Sequence, residues 1–153
     1  MTVQVVDAAR YLNELSGWRL SNLAMQKILY LADMLQTGAT GYRLVDEPFQ
    51  AWDYGPVLPS LYQRCKAFGS KPVPDVFWGA SAIAQLPEGQ VLRNAWAGLQ
   101  DQTPGQLVDN THWQGGAWAK RYVPGGNVTI TAHDMIDEYR GRIAAQAPPS
   151  THG

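Results

Sequence analysis

His112, Asp53, Lys27 and Gln26 form the one set of chemistry-bearing side chains that this chain has the means to bring together. A His–Asp pair is the minimum for general acid–base work, and a lysine beside it would add a cation. The set has no nucleophile next to it. Cys65 is the single cysteine, and it shares an apolar helical stripe with Leu58, Leu61, Tyr62 and Phe68. That placement makes it a small packed hydrophobe rather than a reactive thiol. The sequence therefore favours a structural reading, in which Asp53 and His112 pair to tie two loops to the core. No catalytic residue is assigned, and the chain is expected not to be an enzyme. The lesser alternative is a small hydrolase or transferase using His112 with Asp53 and Lys27.

Three histidines, at 112, 133 and 152, and one cysteine are too few and too scattered for a metal centre. No metal or cofactor is expected. A P-loop, a GxSxG elbow and a GxGxxG fingerprint are all missing.

These residues need elements to hold them. Val5, Ala8, Ala9, Leu12 and Leu15 lie at helical spacing over residues 3 to 16, with Thr2 as a possible cap. A second helix, about 22–36, is capped by Ser21 and followed by Gly38. It is apolar nearly all round, which marks it as the central helix of the domain. Its exceptions are Gln26, Lys27 and Asp33; the two charges are expected to reach solvent along one open strip.

The stretch Pro48 to Pro59 packs three aromatics, a carboxylate, a glycine and three prolines between helices. Alternation places Phe49 and Ala51 on one side of a short strand, Gln50 and Trp52 on the other. Gly55-Pro56 then reads as a corner into a helix running from Pro56 to Phe68, with proline at the first helical position. Val76-Phe77-Trp78 is the expected strand partner. Pro87 opens another helix. Thr103-Pro104-Gly105-Gln106 and Thr131-Ala132-His133-Asp134 are capping signatures for two more. The outline is mainly α: a single compact domain of about six helices around the 22–36 helix, with a minor antiparallel β element near 49–53. The domain is placed at residues 1–147, with a disordered tail at 148–153.

The net charge is −1 and no run of lysine or arginine occurs, so neither nucleic acid nor membrane is an expected partner. The N-terminus lacks a basic-then-apolar leader pattern, and no apolar run approaches the ~20 residues of a membrane span. A cytoplasmic location is expected. Charged residues make up 16% of the chain, below the roughly 25% typical of soluble proteins, while tryptophans number six and tyrosines seven. Most of these aromatics are expected in the core. Trp113 and Trp78 are the tryptophans least explained by a helical core stripe, and they are the candidates for partner contact. Truncation of Trp113 to alanine is expected to abolish partner binding with the fold intact.

Three blocks resemble one known family. Met25-Gln26-Lys27-Ile28-Leu29-Tyr30 is similar to its LQKLLYY helix, and Phe49 to Val57 is similar to its F-x-A-W-x-Y-G-P-V signature. Leu107 to Trp118, with Thr111-His112 and a glycine pair, is similar to its L-x-x-x-T-H … G-P-W block. This is the Panacea domain, also called SocA-like or phage-associated GepA-like. Ala117 departs from the pattern, standing where the family prefers proline.

The resemblance implies an antitoxin of a toxin–antitoxin pair that neutralises a cognate protein toxin by direct binding. The alternative it implies is a proteolytic adaptor that delivers the toxin to a protease such as ClpXP. It carries no catalytic residues across. It marks Gln26, Lys27, Trp52, Asp53, Tyr54, Gly55, Pro56, Thr111, His112 and Trp118 as motif positions, whose expected role is to build the fold.

Overall fold

The computed structural model describes residues 2–146; the tail expected to be disordered lies outside them. The chain is mainly helical, with seven helices and one three-stranded antiparallel sheet among these residues. Helix α1 spans Val5–Ser16. Its start is held by Asp7 rather than by Thr2: the Asp7 carboxylate accepts from the N–H of Gln4 at 3.0 Å and from the N–H of Ser81 at 2.7 Å.

Helix α2 spans Asn22–Thr40, capped by the Ser21 hydroxyl. It runs past Gly38, the expected stop, because Gly38 serves a different purpose. Tyr139 packs so closely on its backbone that a Cβ there would overlap the ring. The helix ends instead at Gly41, in the left-handed conformation with φ of 81°.

Strands β1 (Gln50–Trp52) and β2 (Gly55–Val57) form a hairpin, and β3 (Val128–Thr129) pairs with the other edge of β1. The expected strand–helix corner is therefore a strand–turn–strand, and Val76–Trp78 is not the partner of β1. Helix α3 begins only at Pro59 and ends at Cys65, followed by a 3₁₀ turn at Lys66–Phe68. Pro56 and Pro59 both suit a first helical position. The choice between them is made by α2, which holds Leu58 extended from outside.

Helices α4 (Pro87–Leu99), α5 (Pro104–Thr111), α6 (Ala117–Arg121) and α7 (Ala132–Gln146) complete the chain. The two capping signatures form as expected. Thr103 and Gln106 exchange hydrogen bonds of 3.2 and 2.9 Å, and Thr131 and Asp134 exchange bonds of 3.1 and 3.0 Å. The five-residue α6 is the helix that periodicity missed, being too short to show a stripe.

Helix α2 touches α1, α3, α4, α5, α7 and β2, so it is the centre of the domain. Tyr30 on it meets Phe49 edge-on at 5.3 Å, and both are fully buried. Not every apolar position points inward: Leu35 and Ile143 are 44% and 52% exposed. Lys27 and Asp33 reverse the expectation of a solvent-facing strip, for both are buried.

Candidate functional site

The motif residues gather where α2 meets the hairpin. Gln26 turns both ends of its amide to one backbone position. Its Oε1 accepts from the N–H of Leu58 at 2.8 Å, and its Nε2 donates to the carbonyl of Leu58 at 3.3 Å. Lys27 donates from Nζ to the carbonyl of Pro56 at 2.9 Å. Two consecutive residues of one helix thus satisfy the backbone of β2 and of the residue that follows it. Left uncovered, these buried backbone groups would lack partners.

Gly55 makes this approach possible. Its φ is 118°, a region closed to L side chains, and a Cβ there would lie 2.7 Å from Cε of Lys27. The same Cβ would stand 3.2 Å from the hydroxyl of Thr111, so the Thr-His block abuts the hairpin at this point.

Burial lowers the pKa of Lys27 from 10.5 to about 7. Asp33, one turn and a half further along α2, is shifted the opposite way, up to about 6, again chiefly by burial. Its Oδ1 accepts from the N–H of Leu44 at 2.7 Å and the hydroxyl of Thr37 at 2.9 Å, and these bonds partly offset the burial. Asp33 thereby ties the connection after α2 back onto the helix.

Asp53 and His112 do not pair. At the tip of the hairpin, Oδ1 of Asp53 accepts from the Tyr122 hydroxyl at 2.9 Å and from the N–H of Gly125 at 3.2 Å. His112, at the end of α5, lies flat on Trp118 with ring centres 3.7 Å apart. Its Nε2 is buried without a hydrogen-bond partner. Burial, then the charge of Lys27, holds its pKa below the usual imidazole value. The expected His–Asp couple is replaced by two separate ties to α6. Trp118 donates from Nε1 to the carbonyl of Trp52 at 2.7 Å, and Tyr122, which stacks on Trp118 at 4.5 Å, reaches Asp53. Tyr122 is the residue that sequence reasoning missed. It stands four after Trp118, the helical spacing for a shared face, but α6 itself was not foreseen.

A second set of missed residues holds the Gly116-Ala117-Trp118 turn. Glu138 is buried on α7. It accepts from the Tyr30 hydroxyl at 2.6 Å and the N–H of Ala117 at 2.9 Å, and it pairs with Arg142 at 2.8 Å. The N–H that a proline at 117 would lack is thus in use. Arg142 also donates to Asn110 and lies over the Trp113 ring at 5.2 Å. A signal existed: Glu138 falls three residues after Met135, on the inward face of α7.

Trp113 is half-buried by these contacts, whereas Trp78 is 74% exposed with Arg64 5.6 Å from its ring. Cys65 is buried and its thiol is pushed up to about 11, as befits a packed side chain. His133 is exposed beside Asp137 at 3.4 Å.

Between α2, α3 and the hairpin opens a cleft of about 390 Å³. Asn22, Lys27, Trp52, Tyr54, Tyr62 and Lys66 are among its walls. Trp52 and Tyr62 meet edge-on at 4.9 Å. Tyr54, at the hairpin turn, is 75% exposed.

Residues 25–119 match the family model described as "Antitoxin SocA-like, Panacea domain". The chain belongs to that family. The match begins one residue before Gln26 and ends one after Trp118, so the holds that Gln26, Lys27 and Trp118 have on the hairpin lie inside it. Tyr122, Glu138 and Arg142 lie beyond it. The chain is also 32% identical over 109 residues to Antitoxin SocA of Caulobacter vibrioides (strain NA1000 / CB15N). That alignment covers 65% of this chain and 58% of the relative, so the Panacea chain described here spans little more than half of the relative's length. No solved structure matches it. Among the described residues, no helix is long and apolar enough to cross a membrane.

Proposed function

We propose that this Panacea-domain protein is the antitoxin of a toxin–antitoxin pair and neutralises a cognate protein toxin by binding it directly. The observation that carries the reading is Tyr54. It projects into solvent from a hairpin turn that is immobilised from three sides, by Gln26 and Lys27, by Trp118, and by Tyr122 through Asp53. An exposed aromatic on a rigid support is a low-cost anchor, because little conformational freedom remains to be lost on binding. Trp78 offers a second exposed ring, and Trp113 a partly covered one. The printed name of the Caulobacter relative, an antitoxin, supports the same reading.

Co-expression with the protein encoded beside it tests the proposal. The expected outcome is rescue of growth together with co-purification of the two chains. Rescue that disappears in a host lacking ClpXP, while the two chains still associate, would instead identify an adaptor. Rescue without any association would remove direct binding.

A further inference from the structure

The cleft beside the hairpin carries chemistry that its structural role does not use. Lys27 has three N–H donors, and a single carbonyl, that of Pro56, takes one of them. Capping one carbonyl does not require a charge, and burial leaves this amine only partly protonated near neutral pH until a counter-charge arrives. No carboxylate lies within ion-pair distance of Lys27 or of Lys66 among the described residues. Lys66 is an exposed cation at the rim, and behind it the buried Lys27 amine, with a pKa of about 7, is one that a bound carboxylate would hold protonated.

The one acid in the walls, Asp53, already accepts from Tyr122 and Gly125 through its Oδ1. Asn22 adds an amide whose carbonyl oxygen is engaged by Gln26 at 3.4 Å, leaving its N–H donors for another acceptor. The remaining walls are aromatic: Trp52 and Tyr62 in edge contact, with Tyr54 standing outside. At about 390 Å³ the cleft falls in the size range of sites that enclose a small group, roughly 300–1,000 Å³.

We propose that this cleft receives an acidic side chain of the protein partner, an aspartate or glutamate carried beside an apolar residue. The carboxylate meets Lys27, Lys66 and Asn22, and the apolar neighbour packs on Trp52 and Tyr62. Donors, cations and aromatic surface converge there, and charge complementarity selects an anion. The inference rests on the direct-binding reading above and names where that binding is centred.

The test uses the full chain and the protein encoded beside it, with affinity measured by calorimetry at two salt concentrations. Lys66→Glu changes an exposed residue with no ion pair, so the fold is retained. It is expected to weaken binding at least tenfold and to flatten the salt dependence. Tyr62→Ala is expected to weaken binding similarly at both salt concentrations. Arg140→Glu, an exposed charge reversal on α7, is expected to change binding less than twofold. An Asp→Lys or Glu→Lys scan of the partner should yield one position that restores binding to the Lys66→Glu chain. Wild-type binding that survives both Lys66→Glu and Tyr62→Ala would overturn the cleft while leaving direct binding in place. Failure of the wild-type chains to associate would overturn both.

Discussion

Gln26 on α2 makes a two-point hydrogen-bonded pair with the backbone of Leu58, thirty-two residues away. It does for the end of the hairpin what another strand would do, and it delays the following helix to Pro59. Removing the amide leaves a buried N–H and a buried carbonyl without partners, each worth about 1–3 kcal/mol. Gln26→Leu is therefore expected to lower stability by about 2–4 kcal/mol in chemical denaturation. Gln26→Glu keeps the acceptor but loses the donor, and should fall between the two. Equal stability of all three chains would show that the clamp is not structural.

Lys27 and Asp33 give stability an unusual pH profile. The folded pKa of Lys27, about 7, lies below its ordinary 10.5, so the unfolded chain binds the extra proton between those values and stability rises with pH across them. The folded pKa of Asp33, about 6, lies above 3.8, so the folded chain holds the proton and stability falls as pH rises from 3.8 to 6. The two contributions together are at their least favourable between about pH 6 and 7. Each slope is at most about 1.4 kcal/mol per pH unit. Denaturation of the wild type and of Lys27→Met from pH 6 to 10 should differ in slope above pH 7; parallel curves would refute the shift.

Glu138 accepts from donors on both of its oxygens, from Tyr30 and Ala117 on one and from Arg142 on the other. A glutamine there must aim its NH₂ at one donor set or the other. Glu138→Gln is expected to cost about 3 kcal/mol, within the range for breaking a buried ion pair. The α6 turn should loosen first, read as faster amide exchange at Ala117. Unaltered exchange there would separate Glu138 from the placement of α6.

Trp113 and Trp78 should behave differently when truncated. Trp113 packs against Gly141 and under Arg142, so Trp113→Ala is expected to destabilise by about 2 kcal/mol. Trp78→Ala, at an exposed position, should stay within about 0.5 kcal/mol of the wild type. The sequence-based expectation that Trp113 can be removed with the fold intact thus meets a structural obstacle, and Trp78 is the cleaner probe of partner contact. A change in melting temperature for Trp78→Ala but not for Trp113→Ala would reverse this assignment.

The sequence by itself determined the local decisions. Apolar periodicity located α1 and α2; Pro87 opened α4 and capping residues started α5 and α7; and the alternation around Phe49 and Ala51 set the buried side of β1. These depend on neighbours within a turn or two of the chain, and that information is written consecutively. The order of the motif blocks also pointed to the Panacea family, and the match over residues 25–119 agrees.

What only the tertiary structure decided involves partners far apart in sequence. Pro56 and Pro59 are equally fit to begin a helix, and Gln26 chose between them by holding Leu58. The strand partner of β1 came from residues 128–129 rather than 76–78, because Ile130 could reach the carbonyl of Phe49 at 2.9 Å. Lys27 and Asp33 were expected at the surface, yet the elements packed around α2 enclosed them; Lys27 found its acceptor on strand β2, and Asp33 found donors on Thr37 of its own helix and on Leu44 in the connection that follows. Asp53 was expected to pair with His112. Tyr122 took the place expected of His112, since α6 carried its hydroxyl to the hairpin tip while His112 was drawn flat onto Trp118. A side chain's type states which bonds it can make, and only the packed fold sets which partner arrives within reach.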